Sequence, residues 1–227
     1  MKAIILAGGR GKRMGKLTIT KPKPLLKYKK DTLIKQKLEC VYDLVDEIII
    51  VIGYLGKMIV DNVGTEYKKT PIKYFNQKKL LGTADSLWST KKYISKNKNE
   101  KILILMADDI YSKKDIKKLI EFSKKNKNDW AMLAYKSPTI KSSAKFIVDK
   151  KNNFKEIKND LEGKVKYNYE YTGCCIISPK IFDGKKVKIS NGEYGLPQTI
   201  ANFSKKINIK IFLTKDWKKI TSEKDLL

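Results

Sequence analysis

The amino-terminal segment has the residue types that could bind phosphate. Gly8, Gly9 and Gly11 follow an apolar run at residues 3–6. Glycine has no Cβ atom, so its backbone N–H groups can approach an anion closely and its φ angle can be positive. Cationic side chains follow in two groups: Arg10, Lys12 and Arg13, then Lys21 and Lys23. The pattern predicts a phosphate-binding loop between two cationic arms.

Other glycine-rich signatures match this loop only in part. A dinucleotide-binding fingerprint would place its third glycine at position 14, where this chain has Met14. A P-loop would end in Gly-Lys-Ser/Thr, and that ending is absent. A tight turn that binds nothing is the alternative interpretation of glycines after a strand.

Two carboxylates, Asp108 and Asp109, follow another apolar run at residues 101–107. Adjacent carboxylates at the end of a parallel strand are costly to hold together without a cation. The pair therefore predicts a Mg²⁺ site, with a turn and a helix cap as the alternative. The chain contains no histidine, which excludes mechanisms with a histidine base, nucleophile or metal ligand.

Apolar runs and helical periodicities alternate along the first half of the chain. The predicted strands are residues 3–6, 47–53, 71–75 and 101–107. The predicted helices begin at Asp31, near Lys57, at Gly82-Thr83 and at Ser112, and the second of them is expected to end at about Tyr67. This alternation predicts an α/β fold with a doubly wound, mixed, mostly parallel sheet that binds ligands at the carboxyl ends of its strands. Shorter strands over residues 144–177 predict a small antiparallel lobe.

Length and composition narrow the classes of protein further. A chain of 227 residues predicts a single domain. The beginning of the chain does not resemble a signal peptide, and no apolar run has membrane-spanning length, so we expect a cytoplasmic protein without a membrane partner. The formal net charge of +26 could indicate nucleic-acid binding. However, the lysines are spread along the chain rather than gathered in one stripe, so we expect no nucleic-acid partner.

The glycine loop and the segment after it resemble the signature of the sugar-phosphate nucleotidyltransferases. The matching residues are Leu6-Ala7-Gly8-Gly9-x-Gly11-x-Arg13-Met14 and Pro22-Lys23-Pro24-Leu25-Leu26. The resemblance implies a Rossmann-like core and transfer of a nucleoside monophosphate from a triphosphate to a sugar 1-phosphate or similar phosphorylated substrate, with pyrophosphate released. It also implies a nucleotide-binding part at about residues 1–112 and a sugar-binding part at about 113–227, and it allows a homo-oligomer.

The resemblance also assigns roles to individual residues. The implied nucleotide-binding residues are Leu6, Ala7, Gly8, Gly9, Gly11, Gln77, Gly82, Thr83 and Asp108. The implied catalytic residues are Arg13, Lys23 and Asp109, with Asp109 as the ligand of Mg²⁺. A carboxamide such as that of Gln77 can donate to O4 and accept from N3–H of uracil or thymine, which favours UTP or dTTP.

The implied sugar-binding residues, Glu170, Thr172, Gly173 and Glu193, lie in the second half of the chain. Here the chain departs from the family pattern at several positions: Asn-x-Gly becomes Tyr171-Thr172-Gly173, and the usual glycine and Glu-Lys pair have no clear match near Lys145 and residues 158–160. In addition, Lys219 stands where the family usually has the second metal-binding Asp, and a lysine cannot coordinate Mg²⁺. Asp216 or Asp108 could complete the site, Lys219 could neutralise phosphate charge, or catalysis could be impaired. Lys219 thus leaves a catalytically weakened binding paralogue as one alternative. The other is a GTP- or CTP-dependent member of the family; a guanylyltransferase of the molybdenum-cofactor type shares the Leu-Ala-Gly-Gly-x-x-x-Arg-Met-Gly motif, which here ends at Gly15.

Overall fold

The computed structural model describes residues 1–97, 100–127, 129–136, 145–158 and 169–227. The strands are β1 Lys2–Leu6, β2 Lys27–Tyr28, β3 Asp31–Thr32, β4 Glu47–Ile52, β5 Glu66–Tyr67, β6 Thr70–Asn76, β7 Ile102–Met106, β8 Asp109–Tyr111, β9 Trp130–Lys136, β10 Lys145–Val148, β11 Phe154–Lys158, β12 Tyr169–Ile177, β13 Val187–Lys188, β14 Tyr194–Gly195, β15 Ile209–Thr214 and β16 Trp217–Lys219. The α-helices are α1 Leu33–Val41, α2 Gly56–Val63, α3 Thr83–Trp88, α4 Lys91–Ile94, α5 Lys113–Lys125 and α6 Leu196–Ala201. Short 3₁₀ helices cover Lys12–Thr18, Lys23–Leu25, Pro179–Asp183 and Glu223–Leu226.

One mixed sheet organises the described part of the chain. Its strand order is β11-β10-β12-β7-β1-β4-β6-β5, and β9 pairs with both β12 and β15. The neighbours β7, β1, β4 and β6 are parallel, as are β9 and β15, whereas β12 is antiparallel to β7, β9 and β10. The predicted α/β fold with a doubly wound, mixed, mostly parallel sheet is confirmed. The short antiparallel strands β10 and β11 extend this sheet through β12.

Strand β1 lies at the centre of the sheet and is buried on both faces. Ala3 and Ile5 pack on the face covered by α1 and α5, whereas Ile4 and Leu6 pack on the face covered by α3 and α6. A strand buried on both faces has a continuous apolar sequence because neither set of alternating side chains meets water. This burial explains why the run at residues 3–6 was recognisable in the sequence.

Two helix boundaries differ from the prediction. The N-cap of α1 is Thr32 rather than Asp31, because the Thr32 hydroxyl accepts the backbone N–H of Lys35 at 3.3 Å. Asp31 lies in β3, and its carboxylate forms an ion pair with the Lys35 ammonium at 3.1 Å. Helix α2 ends at Val63, four residues before the expected end at Tyr67, which belongs to β5. No helix in the described ranges has the length and apolar character needed to cross a bilayer.

Helix α1 carries a lysine that is fully buried. The side chain of Lys37 is 0% exposed, and within the described ranges its Nζ atom has no hydrogen-bond partner. Nζ lies 5.4 Å from the centre of the Tyr111 ring. Removal from water disfavours the ammonium form, and burial accordingly lowers the pKa of Lys37 to about 8.

We expect Lys37→Met to raise the free energy of unfolding at neutral pH by on the order of 3 kcal/mol, from a pKa lowered by about two to three units at ~1.4 kcal/mol each. Because the pKa is lower in the folded protein, the unfolded chain binds more protons between about pH 8 and 10.5, and the wild type gains stability as pH rises through that window. The advantage of the variant should therefore shrink at about pH 10. Urea unfolding at neutral pH and at about pH 10 measures the difference in stability between the variant and the wild type. Lys35→Met, at an exposed position of the same helix, is the control. An equal gain from both variants would contradict the assignment.

Candidate active site

The carboxyl ends of β1 and β7 open into a cavity of about 540 Å³. Its walls come from the glycine loop after β1, the short helix Lys23–Leu25, the segment that begins α3 and the residues that follow β7. The lining residues are Leu6, Ala7, Gly8, Gly9, Arg10, Gly11, Lys12, Arg13, Lys23, Pro24, Gln77, Leu80, Gly82, Thr83, Ser86, Met106, Ala107, Asp108, Glu193 and Thr221. A cavity at this edge of a parallel sheet is where such folds bind ligands.

Most of the predicted site residues meet in this cavity. Its lining includes every predicted nucleotide-binding residue, two of the three predicted catalytic residues, Arg13 and Lys23, and one of the four predicted sugar-binding residues, Glu193. Asp109, Glu170, Thr172 and Gly173 do not line it.

Ser86 and Thr221 line the cavity although the sequence analysis did not select them. The Ser86 hydroxyl is buried and has no hydrogen-bond partner in the described part of the chain. Ser86 lies one helical turn after Gly82, so helical spacing could have indicated it. Thr221 belongs to the segment after β16, and no local spacing of residues indicates that it lines the cavity.

Two glycines of the cavity occupy positions where a side chain would collide. A Cβ atom at Gly8 would lie 2.9 Å from Oε1 of Gln77. Gly82 has a φ of 99°, and a Cβ atom there would lie 2.6 Å from the carbonyl oxygen of Tyr194. The missing side chains therefore allow close packing of the glycine loop against Gln77 and of the α3 N-terminus against β14.

Lys23 presents a buried ammonium group beside the cavity. Its Nζ atom donates to Oδ2 of Asp108 at 2.6 Å and to the carbonyl oxygen of Ile220. These two acceptors come from the end of β7 and from the carboxyl-terminal segment, so three distant parts of the chain fix one cation. The arrangement holds a positive charge and a negative charge together at the edge of the cavity.

Asp109, which the resemblance implies as the ligand of Mg²⁺, does not line the cavity, and its role stays a prediction. Asp109 is the first residue of β8, and Lys219 in β16 lies opposite it. Its side chain is buried with Oδ2 3.5 Å from the Tyr111 hydroxyl, and burial, together with the neighbouring charge of Asp108, raises its pKa well above the ordinary value. Asp108 is the member of the pair that lines the cavity.

The predicted sugar-binding residues of β12 form contacts with the protein instead of lining the cavity. The Glu170 carboxylate pairs with the Lys219 ammonium, with Oε1 3.1 Å from Nζ. The Thr172 hydroxyl is fully buried and donates to the carbonyl oxygen of Leu133 at 2.9 Å. Gly173 has a φ of 80° and packs against Met106. A role of these residues in sugar binding stays a prediction.

The carboxylate of Asp108 is suited to a metal ion that is also coordinated by the phosphate groups of a bound ligand. Within the described ranges, no group of three or more His, Cys, Asp or Glu residues could hold a metal by itself. Mg²⁺ is usually held by one or two carboxylates together with substrate phosphates and water. Asp108 offers one such carboxylate beside the glycine loop, so the donor set matches a metal site shared with a ligand rather than a protein-only site.

The sequence of this chain matches the model of a known protein family. The family model described as "Nucleotidyl transferase" matches residues 2–155. The chain belongs to the nucleotidyl transferase family. The family suggested by the glycine loop and the Pro-Lys-Pro segment is thereby confirmed, and the match covers the glycine loop, Gln77, the start of α3 and Asp108.

Several relatives extend the similarity beyond the residues matched by the nucleotidyl transferase model. The chain is 29% identical over 231 residues to the bifunctional protein GlmU of Methanocaldococcus jannaschii, covering 100% of this chain and 53% of GlmU. It is 26% identical over 205 residues to the UTP–glucose-1-phosphate uridylyltransferase AglF of Haloferax volcanii, covering 88% of this chain and 82% of AglF. The chain thus spans about half the length of GlmU.

A solved UDP-glucose pyrophosphorylase in complex with UDP-glucose has the same fold as this nucleotidyl transferase. The TM-score is 0.85 at 18% identity, over 99% of this chain and 95% of that one. At this identity the likeness shows the fold, and the cavity described above provides the argument about chemistry.

Proposed function

We propose that this chain transfers a nucleoside monophosphate from UTP or dTTP to a sugar 1-phosphate or a similar phosphorylated substrate and releases pyrophosphate. The decisive observation is that the glycine loop, the cations Arg13 and Lys23 and the carboxylate of Asp108 meet in one cavity at the end of a parallel sheet. The relatives support the proposal, since AglF is named for a reaction between UTP and glucose 1-phosphate.

The reaction is an in-line attack by a phosphate oxygen of the sugar 1-phosphate on the α-phosphorus of the triphosphate. A phosphate monoester is already an anionic nucleophile at neutral pH, so little acid-base catalysis is needed. Positioning and charge neutralisation then account for most of the rate enhancement. The N–H groups of Gly8, Gly9 and Gly11 hold the triphosphate, Arg13 offsets charge on the departing pyrophosphate, and Lys23 lies between the nucleophile and the α-phosphate.

Asp108 would hold a divalent ion, which we propose to be Mg²⁺, that enters with the triphosphate. A bound Mg²⁺ supplies neutralisation of phosphate charge and a fixed arrangement of the two substrates. The Asp108–Lys23 ion pair at 2.6 Å keeps both groups in place before the ligands arrive. Nucleoside triphosphates and sugar phosphates are cytoplasmic metabolites, which supports a cytoplasmic location.

Pyrophosphate release tests this proposal. The purified chain is incubated with Mg²⁺, each of the five common nucleoside triphosphates and a panel of sugar 1-phosphates, and pyrophosphate is measured by a coupled assay. We expect release only when both substrates are present, with UTP or dTTP preferred, and no release in excess EDTA. A preference for GTP or CTP would support the alternative members of the family.

The Lys219–Glu170 ion pair favours a second candidate, a catalytically weakened paralogue that binds nucleotide or sugar phosphate. Lysine at this position removes a carboxylate that the family usually offers to the metal. Binding of a nucleotide in calorimetry without pyrophosphate release from any pair of substrates would support this candidate. Absence of both binding and release would contradict both functions.

A further inference from the structure

A hydrogen-bond network fixes the orientation of a carboxamide in the cavity wall. Nε2 of Gln77 lies 3.1 Å from the carbonyl oxygen of Gly82 and 3.3 Å from Oδ2 of Asp85. Both partners accept hydrogen bonds and have no proton to donate when Asp85 is ionised. The amide NH₂ group must therefore face them, because the reversed amide would bring three oxygen atoms together.

This orientation leaves the amide oxygen of Gln77 facing the glycine loop. Both N–H bonds of the carboxamide are directed at Gly82 and Asp85, and the oxygen lies where a Cβ atom at Gly8 would be 2.9 Å away. Gln77 is only 6% exposed and lines the cavity. Towards a ligand it is consequently a hydrogen-bond acceptor and not a donor, which corrects the expectation that it also donates to O4 of a pyrimidine.

Asp85 is held in place by a second contact on its other oxygen atom. The Lys186 ammonium pairs with Oδ1 of Asp85, and its Nζ atom lies 4.3 Å from the centre of the Tyr194 ring. Strand β14, which contains Tyr194, is tied to the start of α3 by the hydrogen bond from the Tyr194 N–H to the Leu81 carbonyl at 2.7 Å. The two oxygens of Asp85 thus have separate partners, and its charge is compensated.

We propose that Asp85 is a positioning residue that gives the enzyme its selectivity for uracil and thymine over cytosine. This inference rests on the proposed function, in which Gln77 faces the base of the nucleotide. Uracil and thymine have an N3–H group that can donate to the Gln77 oxygen, whereas N3 of cytosine is an acceptor and would meet that oxygen without a proton between them. A carboxamide free to turn over would accommodate either base, and Asp85 prevents that turn.

Asp85→Asn tests the inference with almost no change in volume. Lys186 requires an acceptor, so the oxygen of the substituted amide turns to Lys186 and its NH₂ group faces Gln77, which removes the preference for the present orientation of the Gln77 carboxamide. We expect the ratio of UTP to CTP affinity, measured by calorimetry with Mg²⁺, to fall at least about tenfold, in line with the loss of one oriented hydrogen bond. Asp61→Asn, on an exposed side chain of α2, is the matched control and should leave the ratio unchanged.

The design separates failure of the inference from failure of the proposed function. If the wild type binds no nucleoside triphosphate, the proposed function fails. If the wild type binds UTP and CTP equally, or if Asp85→Asn keeps the wild-type ratio, the inference is overturned while the enzyme activity stands. Should Asp85→Asn not fold, as judged by circular dichroism, Asp85→Ala provides the same test with the Gly82 carbonyl as the remaining acceptor, and an unchanged ratio there overturns the inference as well.

Discussion

Arg13→Ala is expected to lower turnover by about 10²- to 10³-fold, the loss typical of removing one group that stabilises charge in a transition state. Arg13 is exposed to solvent and lines the cavity within the cationic segment after the glycine loop. Its role in the proposed reaction is to offset charge that accumulates on the departing pyrophosphate. The decrease should therefore appear mainly in kcat, measured by pyrophosphate release at saturating substrates.

Lys16→Ala provides the control for this measurement. Lys16 is exposed and belongs to the same short helix, Lys12–Thr18, but it does not line the cavity. Both variants remove one positive charge from the same surface and should unfold at the wild-type temperature. A normal rate in Arg13→Ala, or an equal loss in both variants, would exclude the assigned role.

Asp108→Asn is expected to reduce turnover by at least about 10²-fold, because an amide cannot replace the carboxylate that contacts the Lys23 ammonium and that, in the proposed reaction, would hold the metal ion. Asp108 accepts a hydrogen bond from Lys23 at 2.6 Å and is the member of the aspartate pair that lines the cavity. The amide would still accept one hydrogen bond from Lys23, so the fold should survive. Steady-state kinetics over a range of Mg²⁺ concentrations should show a raised metal requirement as well.

Asp109→Asn is the informative counterpart of this variant. Asp109 is 6% exposed, does not line the cavity and faces Tyr111. If turnover depends only on Asp108, the carboxylate that lines the cavity, Asp109→Asn should retain most of the wild-type turnover. The reverse pattern, with activity lost at Asp109 and kept at Asp108, would support Asp109 as the metal ligand, as the resemblance implies, and contradict the role proposed for Asp108.

The strands and the glycine loop could be predicted because their signals are local. The central strands are buried on both faces, so the runs at residues 3–6 and 101–107 appear as largely uninterrupted apolar segments. The sequence predicts that Gly82-Thr83 opens a helix, and in the structure Gly82 is the N-cap and Thr83 the first residue of α3. The implied nucleotide-binding residues of these segments accordingly line one cavity, whereas their contacts with a nucleotide stay a prediction.

The remaining part of the site depends on tertiary contacts that no local pattern encodes. Sequence spacing could not decide which of Asp108 and Asp109 faces the cavity, because the choice follows from the pairing of β8 with β16. Glu170 was selected as a sugar ligand, but β12 places it against Lys219, a residue 49 positions further along the chain. Thr221 was missed because only tertiary contacts bring it to the glycine loop, more than 200 positions earlier in the chain.

The contact between Lys23 and the carbonyl oxygen of Ile220 joins residues 197 positions apart. During synthesis on the ribosome, the glycine loop and the central strands are made long before their partner near residue 220 has left the exit tunnel. The cation that we assign to the reacting phosphate consequently lacks part of its support in every nascent chain that has not yet exposed Ile220. Nucleotide consumption should therefore begin only after the segment that contains Ile220 has been released from the tunnel.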